Sequence, residues 1–437
     1  LKRVLIISPH FPPVNAPDCQ RVRMSLPYYR QFGWDPVVLA VQPQHRADWQ
    51  DQSLLASLPP DVPVHYCDAL PSRLTRFIGI HNLGLRCLPF LNRAAHELLR
   101  GGRFDLVFFS TTQYLVTPLG RLWRHRFGTP YVIDLQDPWR TNYYEQPGAP
   151  QPPGGWKYQF ARLTAWLFEE KTFEKAAAFM SVSCHYYRDL ATRYPWFASR
   201  PQRVIPFGGP QADFEFLQSH PARALELRPE GCLHWVAAGS LGPGFSHALR
   251  VLFAGLRRLR QRDPAAAARL RLHFIGTSYA PAGQATGTAR PIAEAYGVGD
   301  LVEERPHRIG YLDSLRLMTA ADGLLLLGSD DLAYSPSKIY PNYMAARPML
   351  ALAHHGSLLA ELLRQLRCAT LVELLAPGRE MSPPREVAEF FARAAQGNGT
   401  SPEPRNDAWF HQQLTAEAGA RHQCEVFDLA VSPSRGA

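Results

Sequence analysis

The chain has 437 residues, with 47 Lys and Arg against 38 Asp and Glu, so its formal charge is +9 with histidine neutral. Apolar residues make up 46% and charged residues 19%, with 23 Phe, 17 Tyr and 9 Trp, which excludes a disordered, collagen-like or coiled-coil chain and suits two or three domains. Its seven cysteines stand singly with no C-x-x-C pair, which excludes a zinc ribbon or dithiol redox motif and makes a reducing, cytoplasmic compartment the simpler expectation.

The first element is a short apolar run, residues 3–8, behind Lys2. It leads into His10-Phe11-Pro12-Pro13 without a small-residue cleavage site, so it reads as a first strand rather than a signal peptide. A helix follows over about 18–32. Further strands are expected at 37–41, 64–67, 106–110, 131–135, 179–182 and 204–207, separated by helical stretches near 84–101, 112–126, 156–176 and 184–193. This alternation signals a parallel sheet wrapped by helices. After a break around Gly208-Gly209-Pro210 and the Arg228-Pro229-Glu230-Gly231 turn, the rhythm restarts, with strands at 233–238, 271–276, 301–304, 323–327, 348–352 and 369–373. A polar, Pro-rich insertion near 398–406 precedes a last helical stretch from Asp407 to Leu429. The expected organisation is therefore α/β, with domains over 1–208 and 209–406 and a terminal segment over 407–437. No apolar run nears the ~18 residues that a membrane span needs. Two such domains are expected to border a cleft, with ligands beyond the carboxyl ends of the strands.

The strand-to-helix loops hold the candidate chemistry. In the first, His10 precedes Asp18, which is placed either to cap the following helix or to face a ligand, with Arg21 one turn on. The loop lacks G-x-G-x-x-G, which disfavours a dinucleotide cofactor. The strand over 131–135 contains Asp134, expected to be structural. It runs into Gln136-Asp137-Pro138, which sets Asp137 at a carboxyl edge, either gripping a hydroxyl or capping a turn. In the second domain, Gly239-Ser240-Leu241-Gly242 would let the backbone approach a diphosphate without Cβ obstruction. Ser335-Pro336-Ser337-Lys338-Ile339-Tyr340 opens a helix and joins hydroxyls, free amides and one of only five lysines at one end, the pattern of a phosphate site.

These pieces resemble a known family. Phe11-Pro12-Pro13, the run from Asp134 to Trp139, the run from Val204 to Gly208, the turn from Gly239 to Gly242 and the run from Pro336 to Pro348 occur in the order seen in family 4 glycosyltransferases. The similarity is greatest to bacterial amino-sugar and polysaccharide transferases whose segments read like E-x-R-D-L-W-P and P-S-K-x-x-E-Y-x-A-x-G-x-P. The resemblance implies the GT-B fold, two Rossmann-like domains, and a final helix that crosses back to the N-terminal domain. It implies transfer from a nucleoside-diphosphate sugar with retention of configuration, to a glycan, lipid-linked or small-molecule acceptor. The donor would be held by Gly239, Ser240, Gly242, Arg308, Ser335, Ser337, Ile339 and Asn342, and the acceptor by His10, Asp18 and Arg21. Asp137 and Lys338 would carry the catalysis. No metal or other cofactor is implied, and no D-x-D motif is present. One departure stands out: the positions of the family's paired glutamates read Ala333 and Pro341. An inactive scaffold of the same fold, or a nucleotide-sugar epimerase, therefore stays open.

Two segments bear on partners. Over 71–103, Arg73, Arg76, Arg86, Arg93, Arg100 and Arg103 mix with apolar residues such as Leu74, Phe77 and Leu91. That pattern fits either peripheral contact with an anionic membrane or an ordinary packed helix. The aromatic segment over 156–173 has helical spacing and reads as core. Nucleic-acid binding is not expected, because the positive charge is dispersed and no recognition module is visible.

Overall fold

Among the described residues the thirteen strands pair only in parallel and form two separate sheets; the one antiparallel contact is an isolated bridge between Val14 and Gln50. The computed structural model describes all residues except 76–81, 142–154, 222–226, 279, 281–282, 332–336, 376–383, 398–403 and 433–437, together with the side chains of 47–49, 156 and 157. The chain divides into an N-terminal unit, Leu1–Gly208 with Ala416–Ala437, and a C-terminal unit, Gly209–Thr415.

The N-terminal sheet comprises β1 (Lys2–Ile7), β2 (Trp34–Val41), β3 (Val64–Cys67), β4 (Leu106–Ser110), β5 (Tyr131–Leu135), β6 (Ala178–Ser181) and β7 (Gln202–Val204). Its spatial order is β3-β2-β1-β4-β5-β6-β7, so the direction of winding reverses between β1 and β4. Alternate residues of β1 serve opposite faces: Leu5 and Ile7 enter one core, Val4 and Ile6 the other, and all four are fully buried. That two-sided burial is why β1 reads as a continuous apolar run. The helix Ala416–Val431 closes one of these faces. Its Phe427 ring packs 4.9 Å from Phe108 and 5.3 Å from Trp34, and Tyr29 Oη donates to Gln423 Oε1 at 2.5 Å.

The C-terminal sheet comprises β8 (Leu233–Ala238), β9 (Leu270–Ile275), β10 (Val302–Arg305), β11 (Gly323–Leu327), β12 (Met349–His354) and β13 (Thr370–Leu374), in the order β10-β9-β8-β11-β12-β13. The reversal here falls between β8 and β11. Its core runs from Trp235 through the helix Ser246–Arg262 to Phe390 and Phe391.

Several elements differ from the sequence-based expectation. The helix expected over 18–32 is an α-helix only over Cys19–Ser25; Leu26–Phe32 tightens into a 3₁₀ helix with proline at its start. The stretch over 112–126 becomes a turn at Tyr114–Val116 followed by the helix Pro118–Phe127. The strand expected over 204–207 sits at Gln202–Val204 instead, because the backbone after it is used otherwise, as described below. The terminal helical stretch is two helices, Asp407–Gln413 in the C-terminal unit and Ala416–Val431 in the N-terminal unit. The insertion near 398–406 lies mostly outside the described residues.

Candidate functional site

Ligands of open parallel sheets bind where the strand order reverses, beyond the carboxyl ends of the strands. In the N-terminal unit that point is flanked by the loops after β1 and β4, and the sequence candidates His10, Asp18 and Arg21 all lie there. Asp18 does not cap its helix: its side chain makes no capping hydrogen bond. Its carboxylate instead accepts from His10 Nδ1 at 2.9 Å, Thr111 Oγ1 at 3.2 Å, and Thr112 N–H and Oγ1 at 3.1 and 3.0 Å. The helix entrance thus gives up a cap so that the two loops can be tied across the reversal. Burial by itself would raise the Asp18 pKa, but the His10 charge and the bonds from His10 and Thr112 outweigh it and hold the carboxyl below its usual range. His10 is itself buried, and its Nε2 has no hydrogen-bond partner among the described residues.

Arg21 has a different place from the ligand-facing one expected for it. It is 3% exposed, its Nε pairs with Asp134 Oδ2 at 2.8 Å, and its Nη2 donates to Ile205 O at 2.7 Å. Its guanidinium also reaches Pro206 O at 3.4 Å and lies 5.1 Å from the Phe207 ring. The apolar residues after β7 therefore leave the sheet to offer their carbonyls to Arg21. Asp134 is structural, as the sequence suggested, and also accepts from Ser110 Oγ at 2.8 Å and Gln136 Nε2 at 3.0 Å. Gln136, which the sequence did not single out, joins this network to the Asp18 carbonyl at 3.2 Å.

Asp137 lies beyond β5, with its backbone carbonyl accepting from Tyr114 Oη. Crowding by the protein, and secondarily the Asp18 charge, push its carboxyl up to about 6. The residue keeps an exposed surface, so solvent screens that carboxyl and limits the energy involved.

In the C-terminal unit the reversal is flanked by the loops after β8 and β11. Gly239 takes φ +103°, and a Cβ there would stand 2.8 Å from Lys338 Cε and 3.3 Å from Nζ. The backbone angle requires glycine, and the flexible end of the lysine lies over the space a Cβ would fill. Lys338 Nζ donates to Ser240 O at 2.6 Å and sits 5.3 Å from the centre of the Phe245 ring. Burial lowers its pKa to about 8. Among the described residues no carboxylate comes within ion-pair distance of it. Gly242 opens onto free space, whereas a Cβ at Gly244 would meet Ser329 Oγ at 3.0 Å; Asp330 N–H donates to Gly244 O at 2.8 Å, stitching the two loops together.

The remaining donor candidates divide. Ser337 is exposed beside Lys338, and Ile339 is fully buried as packing. Asn342 is also buried, with its Nδ2 donating to Lys338 O at 2.7 Å, so its amide holds the lysine's backbone. Arg308 is exposed in the loop after β10, its Cα 3.7 Å from where a Cβ on Gly276 would lie. Ser335 and Ala333 lie outside the described residues. The expected helix is short, Ile339–Met344, so its dipole adds little and the lysine charge dominates. Pro341 stands in its first turn, where the missing N–H would have no partner in the helix. No sequence signal marks the pair beside this point, His354 Nε2 with Asp330 Oδ1 at 2.9 Å, or His247 stacked 5.5 Å from the His354 ring. Among the described residues no group of three or more His, Cys, Asp or Glu side chains is arranged to hold a metal ion.

Residues 20–208 match the family model described as the glycosyl transferase 4-like domain. No curated protein matches the chain. Among solved structures, Anabaena Alr3699/HepE in complex with UDP and glucose is similar at 13% identity, covering 97% of this chain and 99% of that one, with a TM-score of 0.56. The N-terminal domain of Candida albicans trehalose-6-phosphate phosphatase is similar at 12% identity over 98% of this chain and 97% of that one, with a TM-score of 0.57. A putative UDP-N-acetylglucosamine 2-epimerase from Listeria monocytogenes is similar at 11% identity over 98% and 96%, with a TM-score of 0.53. At these identities the likeness shows a shared fold, the two-domain GT-B architecture.

Proposed function

We propose that the chain, whose residues 20–208 match the glycosyl transferase 4-like domain and whose fold is GT-B, moves a hexosyl or hexosaminyl group from a nucleoside diphosphate to a hydroxyl acceptor. The C-terminal unit holds the donor diphosphate and the N-terminal unit serves the acceptor. The observation that carries this reading is Lys338. It is a desolvated cation at a sheet's reversal point, bonded among the described residues to a neutral carbonyl and facing a ring, over a glycine whose missing Cβ leaves room for the lysine. A diphosphate supplies the charge that this ammonium lacks.

Catalysis is then mostly positioning and electrostatics. As the bond to the sugar lengthens, negative charge grows on the departing diphosphate, and Lys338 with the Ser240 and Gly242 amides stabilises it without a metal ion, the Gly239 and Leu241 amides being bonded to Ile275 O and Thr277 O. Asp137, mostly ionised at neutral pH, accepts a hydrogen bond from the acceptor or sugar hydroxyl. Asp18 fixes the ring of His10, leaving the buried Nε2 to pair with an acceptor hydroxyl. The likeness to family 4 supports retention of the anomeric configuration. The UDP complex of the Anabaena protein makes uridine donors the first to try.

Calorimetry with nucleoside diphosphates and their sugars, on the wild type and on Lys338→Ala, tests the assignment. The substitution should weaken binding or turnover at least about tenfold, about 1.4 kcal/mol, without lowering the thermal melt. Equal affinity and turnover in the variant would remove Lys338 from the site. No binding of any nucleotide by the wild type would instead mark a scaffold, and donor turnover without an acceptor would mark an epimerase.

A further inference from the structure

The segment that follows β4 spends its side chains on partners distant in the chain. Ser110 Oγ donates to Asp134, Thr111 and Thr112 donate to Asp18, and Tyr114 Oη donates to the backbone carbonyl of Asp137. Gln113, between them, serves a different neighbour: its Oε1 accepts from Gly84 N–H at 3.1 Å, at the start of the helix Leu83–Gly101. That helix turns Cys87, Leu91, Ala95 and Leu99 into the core, so its apolar residues serve packing; Arg76 and Phe77 of the 71–103 segment lie outside the described residues.

Tyr114 is buried, and its ring lies nearly parallel to that of Trp139, with centroids 5.4 Å and planes 13° apart. One side chain thus grips the loop after β5 at two points, a carbonyl and an indole two residues on. Burial, with the Asp137 and Asp134 charges adding to it, raises the Tyr114 pKa well above that of a free tyrosine, so the phenol remains a donor at neutral pH. The same loop is tied at both ends. Gln136 Nε2 donates to Asp18 O at 3.2 Å and Ser110 Oγ at 2.9 Å, and Arg193, paired with buried Glu169 at 2.5 Å, donates to Arg140 O at 3.2 Å. Glu169 belongs to the helix Trp156–Glu174, which reads as core from its spacing but leaves Leu163 and Trp166 exposed. The Asp137 carboxylate, by contrast, accepts no hydrogen bond among the described residues. Its place is therefore set by the backbone on either side of it.

We propose that Tyr114 is a positioning residue for Asp137: by joining the loop after β4 to the loop after β5, it sets where the Asp137 carboxylate stands relative to Asp18 and His10. Without the phenol hydroxyl, the Asp137 carbonyl takes water instead, the loop loosens, and the carboxylate becomes wetter and leaves its place. Such a loss acts on turnover more than on affinity, because a displacement of about 1 Å spoils the approach of a reacting hydroxyl. The inference rests on the reading of Asp137 as the partner of an acceptor or sugar hydroxyl.

Carbon-13 NMR of the full chain, labelled at the aspartate carboxyls, tests it, the Asp137 line being the one lost in Asp137→Asn. In the wild type that line should titrate at about 6. In Tyr114→Phe, which keeps a ring against Trp139, it should titrate lower by at least about half a pH unit, since a wetter carboxyl ionises more readily. Tyr114→Leu, which removes the stack as well, should move it further the same way; if that variant fails to fold, the phenylalanine variant decides. A wild-type line in the ordinary carboxylate range, or one that Tyr114→Phe leaves in place, overturns the positioning. Turnover of UDP-glucose and UDP-N-acetylglucosamine, with water as the acceptor, separates this inference from the reading beneath it. Tyr114→Phe should lower kcat at least about fivefold with KM unchanged, and Asp137→Asn should lower it at least as much. Wild-type turnover in Asp137→Asn would sink the reading of Asp137, and with it the role of Tyr114. Wild-type kcat in Tyr114→Phe, with Asp137→Asn impaired, would overturn this inference alone.

Discussion

The two reversal points use buried cations in opposite ways. In the N-terminal unit Arg21 faces the Asp134 carboxylate at 2.8 Å and a backbone carbonyl at 2.7 Å, so its charge is matched from within the protein. In the C-terminal unit Lys338 faces the Ser240 carbonyl and the Phe245 ring, and its pKa falls to about 8. The first arrangement makes a strut; the second is the one we propose as a receptor. Burial alone does not identify a binding residue; what does is burial without an internal counter-charge.

The strut is where a single substitution does most damage. Asp134→Ala leaves Arg21 buried without its carboxylate and should cost about 3–5 kcal/mol of folding stability, read from the urea midpoint. A loss of less than about 1 kcal/mol would show that the carbonyls alone suffice for Arg21.

At the receptor, Gly239→Ala forces a Cβ against Lys338 and places a non-glycine residue at φ +103°. Nucleotide affinity should fall by about tenfold or more, together with about 1–3 kcal/mol of stability from the strained backbone. If affinity held while stability fell, the lysine would not be touching the ligand.

A pH series separates the two cations further. Nucleotide affinity should decline as pH rises through about 8, where Lys338 loses its proton, and this limb should be missing in Lys338→Ala. Turnover should decline again as pH falls through about 6, where Asp137 becomes protonated. The stability of the unliganded protein should move the other way on the alkaline side. Between about 8 and 10.5 the unfolded chain keeps a lysine proton that the folded one has released, so stability rises with pH across that window.

The smallest effect is expected just beyond Lys338's helix. Ala346 occupies a left-handed position, φ +53°, where the motif of similar transferases has glycine. Ala346→Gly should raise stability by about 0.5–1 kcal/mol and leave nucleotide binding unchanged.

Much of this architecture is legible in the residue order alone. The strands of the C-terminal unit fall within a residue or two of the positions set by their apolar runs, because strands buried on both faces leave an uninterrupted signal. Lys338 also stands out, since lysine is so scarce in the chain. Other readings fail for definite reasons. Residues 205–207 are as apolar as a strand, but Arg21 claims two of their carbonyls. Asp18 has the sequence position of a helix cap, but a stronger set of partners lies across the sheet reversal, on residues 93 or more positions away. The helix over 156–174 distributes apolar and polar residues around its whole circumference, so its periodicity could not say which side the sheet would cover.

Two parallel α/β sheets, and the loops at their carboxyl edges, are written in the linear pattern, because strand burial and helix spacing are local properties of the chain. Which charges are neutralised is not local. A counter-ion is chosen by whatever the fold brings within about 3 Å, and Arg21 and Lys338, each a single positive charge in the sequence, differ in that a carboxylate faces the first and, among the described residues, none faces the second.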